Sequence, residues 1–198
     1  DPGELRQHIG YISQDITLFS GTLYENITLA APHADPEHIM RAVNISGLGS
    51  LIKAHPDGIN MKVGERGQFL SGGQRQAIAI ARAVIHEPRI LLFDEPSSFL
   101  DNALEEHIKT QLQRFIRRRT LILVTHRNAL LDLVDRLVVM DNGKVVADGP
   151  KAEVLAALQK GRHNTGTPPA SATTTATKRT ATATAVVKPK ATVKKVTS

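Results

Sequence analysis

Ile90-Leu91-Leu92-Phe93-Asp94-Glu95-Pro96 is the stretch on which the fold turns. Four apolar residues in a row read as a short buried strand of the kind found inside a parallel sheet. They deliver two adjacent carboxylates at the strand's C-terminal end, and in open α/β sheets ligands bind outside the carboxyl ends of the strands. An Asp at that place can hold Mg²⁺, usually through its waters, and the next residue, a Glu, can orient or deprotonate an attacking water. Two carboxylates by themselves only suggest a site. A surface turn after a strand is the plainer alternative, and the apolar run before Asp94 weakens it.

The next informative stretch lies just upstream: Leu70-Ser71-Gly72-Gly73-Gln74-Arg75-Gln76, directly before a helical pattern. Ser and two glycines at a helix N-terminus turn free N–H groups and a hydroxyl outward. Glycine lets a bulky anion approach the backbone, and the helix dipole favours negative charge there. Taken alone, Ser-Gly-Gly is also what an ordinary loop and cap require. Downstream, the apolar segment Leu121–Thr125 ends in His126, which a neighbouring strand would place beside the carboxylates, within reach of a phosphate oxygen. The other seven histidines show no metal-ligand spacing.

Working outward, short apolar strands alternate with helical patterns, which predicts an α/β fold with a mainly parallel sheet. Strands are expected around Ile9–Ser13, Ile90–Asp94, Thr120–Thr125 and Leu137–Met140, with Lys144–Ala147 returning as a hairpin after Asp141-Asn142-Gly143. Helices fit Asp35–Ile45, Gly73–Ile85, Ala103–Arg118 and Pro150–Gln159. Ala77, Ile80, Ala81, Val84 and Ile85 make one apolar stripe, and Leu104, Ile108, Leu112 and Phe115 another. Arg117-Arg118-Arg119 suits the C-terminal end of a helix dipole. Residues 22–85 read as a helical subdomain within a body spanning 1–161.

The 198 residues carry 25 Lys+Arg against 19 Asp+Glu. Seven of those basic residues and none of the acidic ones lie from Arg162 onward, so the body is near neutral. Residues 162–198 include 11 Thr and 7 Ala but no Leu, Ile or aromatic residue. Such a segment buries too little surface to offset its ordering entropy and reads as a disordered basic tail. It is either a solvated extension or an arm for nucleic acid or anionic headgroups, and composition does not choose. The absence of Cys excludes a disulfide scaffold and Cys-ligated metal sites. No apolar run approaches the roughly 20 residues that span a bilayer. Asn26-Ile27-Thr28 and Asn44-Ile45-Ser46 match glycosylation sequons, which a cytosolic domain never presents to that machinery.

These motifs, in this order, resemble the nucleotide-binding domain of ATP-binding cassette (ABC) transporters over about residues 3–160, a P-loop NTPase core. Ile9–Gln14 is similar to the Q-loop, which makes Gln14 the glutamine that senses Mg²⁺ and γ-phosphate. Residues 70–76 are similar to the signature motif, with Ser71, Gly72, Gly73 and Gln74 facing the ATP held by the opposite subunit. Residues 90–95 are similar to Walker B, with Asp94 on the metal side and Glu95 the catalytic carboxylate. Ser98-Phe99-Leu100-Asp101 is similar to the D-loop, which adds Asp101 to the nucleotide site, and His126 to the switch histidine. Phe19–Ile27 resembles the segment of exporters that meets the membrane domain, and Val63-Gly64-Glu65-Arg66-Gly67 is likewise exporter-like. The stretch Thr120–Gly149 looks most like the ATPases of bacterial type I secretion systems.

The resemblance implies ATP and Mg²⁺ as cofactors and a second nucleotide-binding domain as partner. It further implies exporter transmembrane domains, with a periplasmic adaptor and outer-membrane channel in a secretion system. The expected place is the cytoplasmic face of the bacterial inner membrane, and nucleic acid is not an expected partner. The family's Gly-x-x-x-x-Gly-Lys-Ser/Thr motif (Walker A) does not occur in these residues, because Gly143-Lys144 is followed by Val145 in a hairpin. Its amides and lysine make most of the phosphate contacts. The expectation is therefore a partial ABC ATPase domain, inactive alone and catalytic within the complete protein. The alternative is a module that only completes a composite ATP site in a partner subunit. The missing strand would also leave unpaired inner sheet edges, so the 198 residues are expected to fold poorly by themselves.

Overall fold

The computed structural model describes residues 2–163 and 182–186. Helix α1 (Pro2–Gln7) leads into strand β1 (Ile9–Ile12), and helices α2 (Leu23–Thr28), α3 (Pro36–Ser46) and α4 (Gly49–Ala54) follow. Helix α5 (Gly72–Val84) precedes β2 (Ile90–Asp94), and α6 (Asn102–Phe115) precedes β3 (Thr120–Thr125). The hairpin β4 (Arg136–Asp141) and β5 (Lys144–Pro150) runs into α7 (Lys151–His163), and β6 (Thr182–Val186) comes last. No helix of the described residues is long and apolar enough to cross a membrane.

Local chemistry accounts for the main boundaries. Ser71 caps α5 through a capping box: its Oγ accepts from Gln74 N at 3.2 Å while Gln74 Oε1 accepts from Ser71 N at 2.9 Å. Thr22 and Glu25 do the same for α2, with Thr22 N donating to Glu25 Oε2 at 2.7 Å. Asp101 caps α6 by accepting from Leu104 N at 2.8 Å. Helix α3 starts with Pro36 in its first turn, which suits the helix entry, and ends at Gly47, whose φ of +74° closes a left-handed cap. Along α5 the stripe Ala77, Ile80, Ala81 and Val84 is buried against α2, α3 and β1.

The sheet order is β1-β2-β3-β6-β4-β5. Strands β1, β2 and β3 pair in parallel, with Ile12 opposite Phe93 and Asp94 opposite Val124. Strand β6 is antiparallel to β3 and to β4, so β3 and β4 run the same way, and β1 to β4 form the parallel set. Leu91, Phe93, Leu121, Leu123, Leu137 and Val139 put their side chains into the core. Gly10 sits where a Cβ would fall on the Ala83 carbonyl oxygen, so glycine alone lets β1 lie this close to the end of α5.

The C-terminal residues contribute to two elements. The tail reading of 162–198 falls mostly outside the described residues, but 162–163 complete α7 and Thr182–Val186 form β6. The sequence also predicts unpaired inner sheet edges; among the described residues β6 pairs antiparallel with both β3 and β4, so no edge stands open between those two strands.

Candidate functional site

Parallel pairing brings the C-terminal ends of β1, β2 and β3 side by side and thereby sets Gln14, Asp94, Glu95 and His126 along one edge. Glu95 is the centre. Its backbone has φ of +47°, a left-handed conformation that costs a non-glycine residue on the order of 1 kcal/mol. The turn is held by Glu95 N donating to Val124 O at 2.9 Å and by Ser98 Oγ donating to Glu95 O at 3.1 Å. This bend carries the Glu95 side chain across to β3.

There Glu95 Oε1 accepts from His126 N at 3.1 Å and lies 2.7 Å from His126 Nδ1. A carboxylate only accepts, so Nδ1 is the donor of this pair and Nε2 is the ring nitrogen outside it. Thr125 Oγ1 donates to Glu95 Oε2 at 3.5 Å, and Arg127 N in turn donates to Thr125 Oγ1 at 3.1 Å. Glu95 is nearly enclosed, its side chain 12% exposed against 50% for His126. Asp94, at the end of β2, is half-buried and Gln14 is exposed. Among the described residues no three His, Asp or Glu side chains cluster as a ready-made metal cage.

The glycine motif lies elsewhere. Ser71, Gly72, Gly73 and Gln74 open onto a groove of about 1030 Å³ shared with Asp101 and His107. None of Gln14, Asp94, Glu95 and His126 lines it. Gly72 and Gly73 are packed against the loop after β2: a Cβ would lie 3.2 Å from Phe99 Cβ at the first and 3.1 Å from Phe99 O at the second. Both glycines therefore serve close packing against this loop. The structure thus brings the predicted residues together as two groups, joined by the turn Ser97–Asp101.

Several positioning residues escape the sequence reading. Arg127 reaches Ser98 O at 3.3 Å and Glu105 Oε1 at 3.5 Å, which ties the loop after β3 to the loop after β2. Arg82 clamps the segment before α2: Nη1 donates to Thr17 O at 2.7 Å, while Nε and Nη2 donate to Asn26 O and Oδ1, each at 2.6 Å. Asn26, 2% exposed, completes the clamp by donating to Phe19 O at 2.9 Å. Desolvation pushes the Arg82 guanidinium below its ordinary value.

A parallel sheet presenting carboxylates and a histidine at its C-terminal edge, with a capped glycine turn on a helical subdomain, is an ABC-type arrangement of the P-loop NTPase fold. A family model described as ABC transporter matches residues 2–98. The chain belongs to the ABC transporter family and carries part of its nucleotide-binding domain. It is 40% identical over 151 residues to the ATP-dependent lipid A-core flippase of Neisseria meningitidis serogroup A, a match covering 76% of this chain and 24% of that protein. It is 41% identical over 155 residues to the alpha-hemolysin translocation ATP-binding protein HlyB of Escherichia coli O157:H7, covering 78% and 22%. A bacterial Atm1-family ABC exporter solved with ATP bound superposes with a TM-score of 0.73 at 30% identity, over 84% of this chain and 30% of that one. The chain therefore spans about a quarter of the length of these relatives.

Proposed function

We propose that the complete protein is an ABC exporter and that these residues supply the water-activating carboxylate of one ATP site and the glycine face of another. The observation that carries the reading is the division of the site: Glu95 and His126 are hydrogen-bonded at the sheet edge, whereas Ser71–Gln74 open onto a separate groove. One copy does not close both groups around one ligand, so a second nucleotide-binding domain is the partner the geometry calls for.

Within that assembly Glu95 is the general base. Its Oε atoms take the proton of a water aligned with the terminal phosphate. The Nδ1–H of His126 and the hydroxyl of Thr125 hold the carboxylate in place. With Nδ1 engaged, Nε2 is the atom of His126 left to meet a phosphate oxygen, as a donor when the ring is doubly protonated. Asp94 and Gln14 offer the oxygen donors that suit Mg²⁺, which commonly takes one or two carboxylates plus phosphate oxygens and keeps several waters. Among the described residues the half-buried Asp94 carboxylate has no hydrogen-bond or ion-pair partner, which fits that use. Bound there, the ion would neutralise charge on the phosphates. Ser71 and the amides at the start of α5 would receive the phosphates of a nucleotide held by the opposite copy, with Asp101 at the junction.

Export of an unfolded protein through type I secretion is the finer reading. It is supported by the likeness of Thr120–Gly149 to secretion ATPases and by the match to the hemolysin translocator. Its partners would be transmembrane domains, a periplasmic adaptor and an outer-membrane channel, with these residues at the cytoplasmic face of the inner membrane. Co-assembling two forms of the complete protein, one Glu95→Gln and the other Ser71→Arg, tests the division of labour. Each alone is expected to hydrolyse no ATP, and the mixture to regain turnover through heterodimers holding one intact composite site. A mixture as inactive as its components contradicts the trans arrangement.

A further inference from the structure

Arg127, the second residue after β3, forms hydrogen bonds through its backbone and through its side chain, and both routes end at Glu95. Its N–H donates to Thr125 Oγ1 at 3.1 Å, which leaves the hydroxyl proton for Glu95 Oε2 at 3.5 Å. Its Nη2 donates to Ser98 O at 3.3 Å. Ser98 in turn donates to Glu95 O from N at 3.3 Å and from Oγ at 3.1 Å. The first route orients the carboxylate, and the second braces the left-handed turn that carries it. Among the described residues Arg127 is the only side chain from outside Glu95–Asp101 that donates to the backbone of that turn.

The guanidinium is itself held. Nη1 donates to Glu105 Oε1 at 3.5 Å, on the first turn of α6. The Glu105 side chain is 9% exposed, and Arg127 is its ion-pair partner. A carboxylate that deep requires a cation, and a guanidinium presents its N–H groups in a planar fork able to face two acceptors at once. Those acceptors, the Ser98 carbonyl and the Glu105 carboxylate, flank Asp101, the cap of α6. Arg127 therefore spans the start of α6 and fixes the turn whose Phe99 backs Gly72 and Gly73. Each of these bonds joins two described residues, and none involves a sheet edge.

We propose that Arg127 is a positioning residue of the hydrolytic step: pinned on the buried Glu105, it holds the Glu95 carboxylate through Thr125 and the Glu95 backbone through Ser98. It touches no reacting atom. The assignment rests on the reading of Glu95 as the general base. Without Arg127 the strained turn at Glu95 is free to relax, the carboxylate shifts relative to the water, and chemistry slows. ATP binding, which none of these bonds serves, persists.

Steady-state ATP hydrolysis and thermal melting of the complete protein test this. Arg127→Met alone strands a buried carboxylate and lowers stability, so it is compared with Arg127→Met combined with Glu105→Leu, which removes both charges. The double variant is expected to recover the melting temperature lost by the single one, while its kcat stays about tenfold or more below that of the unchanged protein. KM for ATP should remain within about twofold, the signature of an interaction that acts on the chemical step. Arg127→Lys keeps a charge beside Glu105 but has no fork; it is expected to melt like the unchanged protein and still to lose kcat at constant KM. Recovery of kcat together with the melting temperature overturns the proposal, because the pair would then serve the fold alone. A normal kcat in Arg127→Lys, or a loss confined to KM, overturns it as well. Glu95→Gln in the same assay reports on the general-base reading separately. Turnover kept in Glu95→Gln defeats that reading and this proposal with it, whereas turnover lost there but kept in the Arg127 variants defeats the Arg127 assignment alone.

Discussion

Replacing Arg82 by Ala removes three donated hydrogen bonds at once, two to Asn26 and one to Thr17, together with a guanidinium placed 5.9 Å from the Phe19 ring centre. Hydrogen bonds from charged donors contribute about 1.5–3 kcal/mol each, but two features reduce their sum. The guanidinium is itself partly desolvated, as the lowering of its pKa by burial shows, and Asn26 Oδ1 keeps the Phe19 N–H at 3.0 Å. A net loss of about 2–4 kcal/mol is expected, in the upper range for a single substitution. Urea unfolding of the full chain measures it. A double-mutant cycle with Asn26→Ala isolates the pair, with an expected coupling of about 1.5–3 kcal/mol. Because the clamp sets the path of Phe19–Ile27, the same substitution in the complete protein should lower transport more than ATP turnover. A loss below about 1 kcal/mol with no coupling to Asn26 would refute the reasoning.

Two further outcomes follow from local geometry. Arg136 donates from Nε and Nη2 to the two Asp148 oxygens, each at 2.8 Å, and this pairing holds the Asp148 carboxyl below its ordinary value. Arg136→Ala should raise the Asp148 titration midpoint, measured by NMR. Since the folded-state pKa is the depressed one, the pair's contribution is present above about pH 4 and disappears as pH falls through the folded midpoint. An identical midpoint in both proteins contradicts this. Gly10→Ala should lower stability by about 1–3 kcal/mol through overpacking against the Ala83 carbonyl, Pro88 and Leu91. Gly49→Ala, where a Cβ meets nothing within 4 Å, serves as the neutral control. Equal melting temperatures for the two variants would contradict the packing argument.

What the sequence made legible divides by range of interaction. Strand β2 could be read from Ile90–Asp94 because four apolar residues demand a buried, extended place whatever surrounds them. Helices α5 and α6 were legible through stripes and capping residues that act within one or two turns. The short helices α2 and α4 were not, since six residues hold too little periodicity and depend on packing for stability. Glu95 and His126 stood out as strand-end residues, but their hydrogen bond, and the part of Thr125 in it, depends on a left-handed turn at a glutamate that no local pattern announces. The Arg82–Asn26 clamp spans 56 residues, and β6 pairs with strands that end more than forty residues earlier. Both are tertiary facts.

The central claim, that Glu95 activates the water for ATP hydrolysis, is tested most directly by measuring phosphate release and ATP binding side by side in the complete protein and its Glu95→Gln form. The account predicts that the variant still binds ATP while turnover falls by about 10²-fold or more, the scale of a lost general base. Turnover within a few-fold of the unchanged protein, with binding intact, would contradict it.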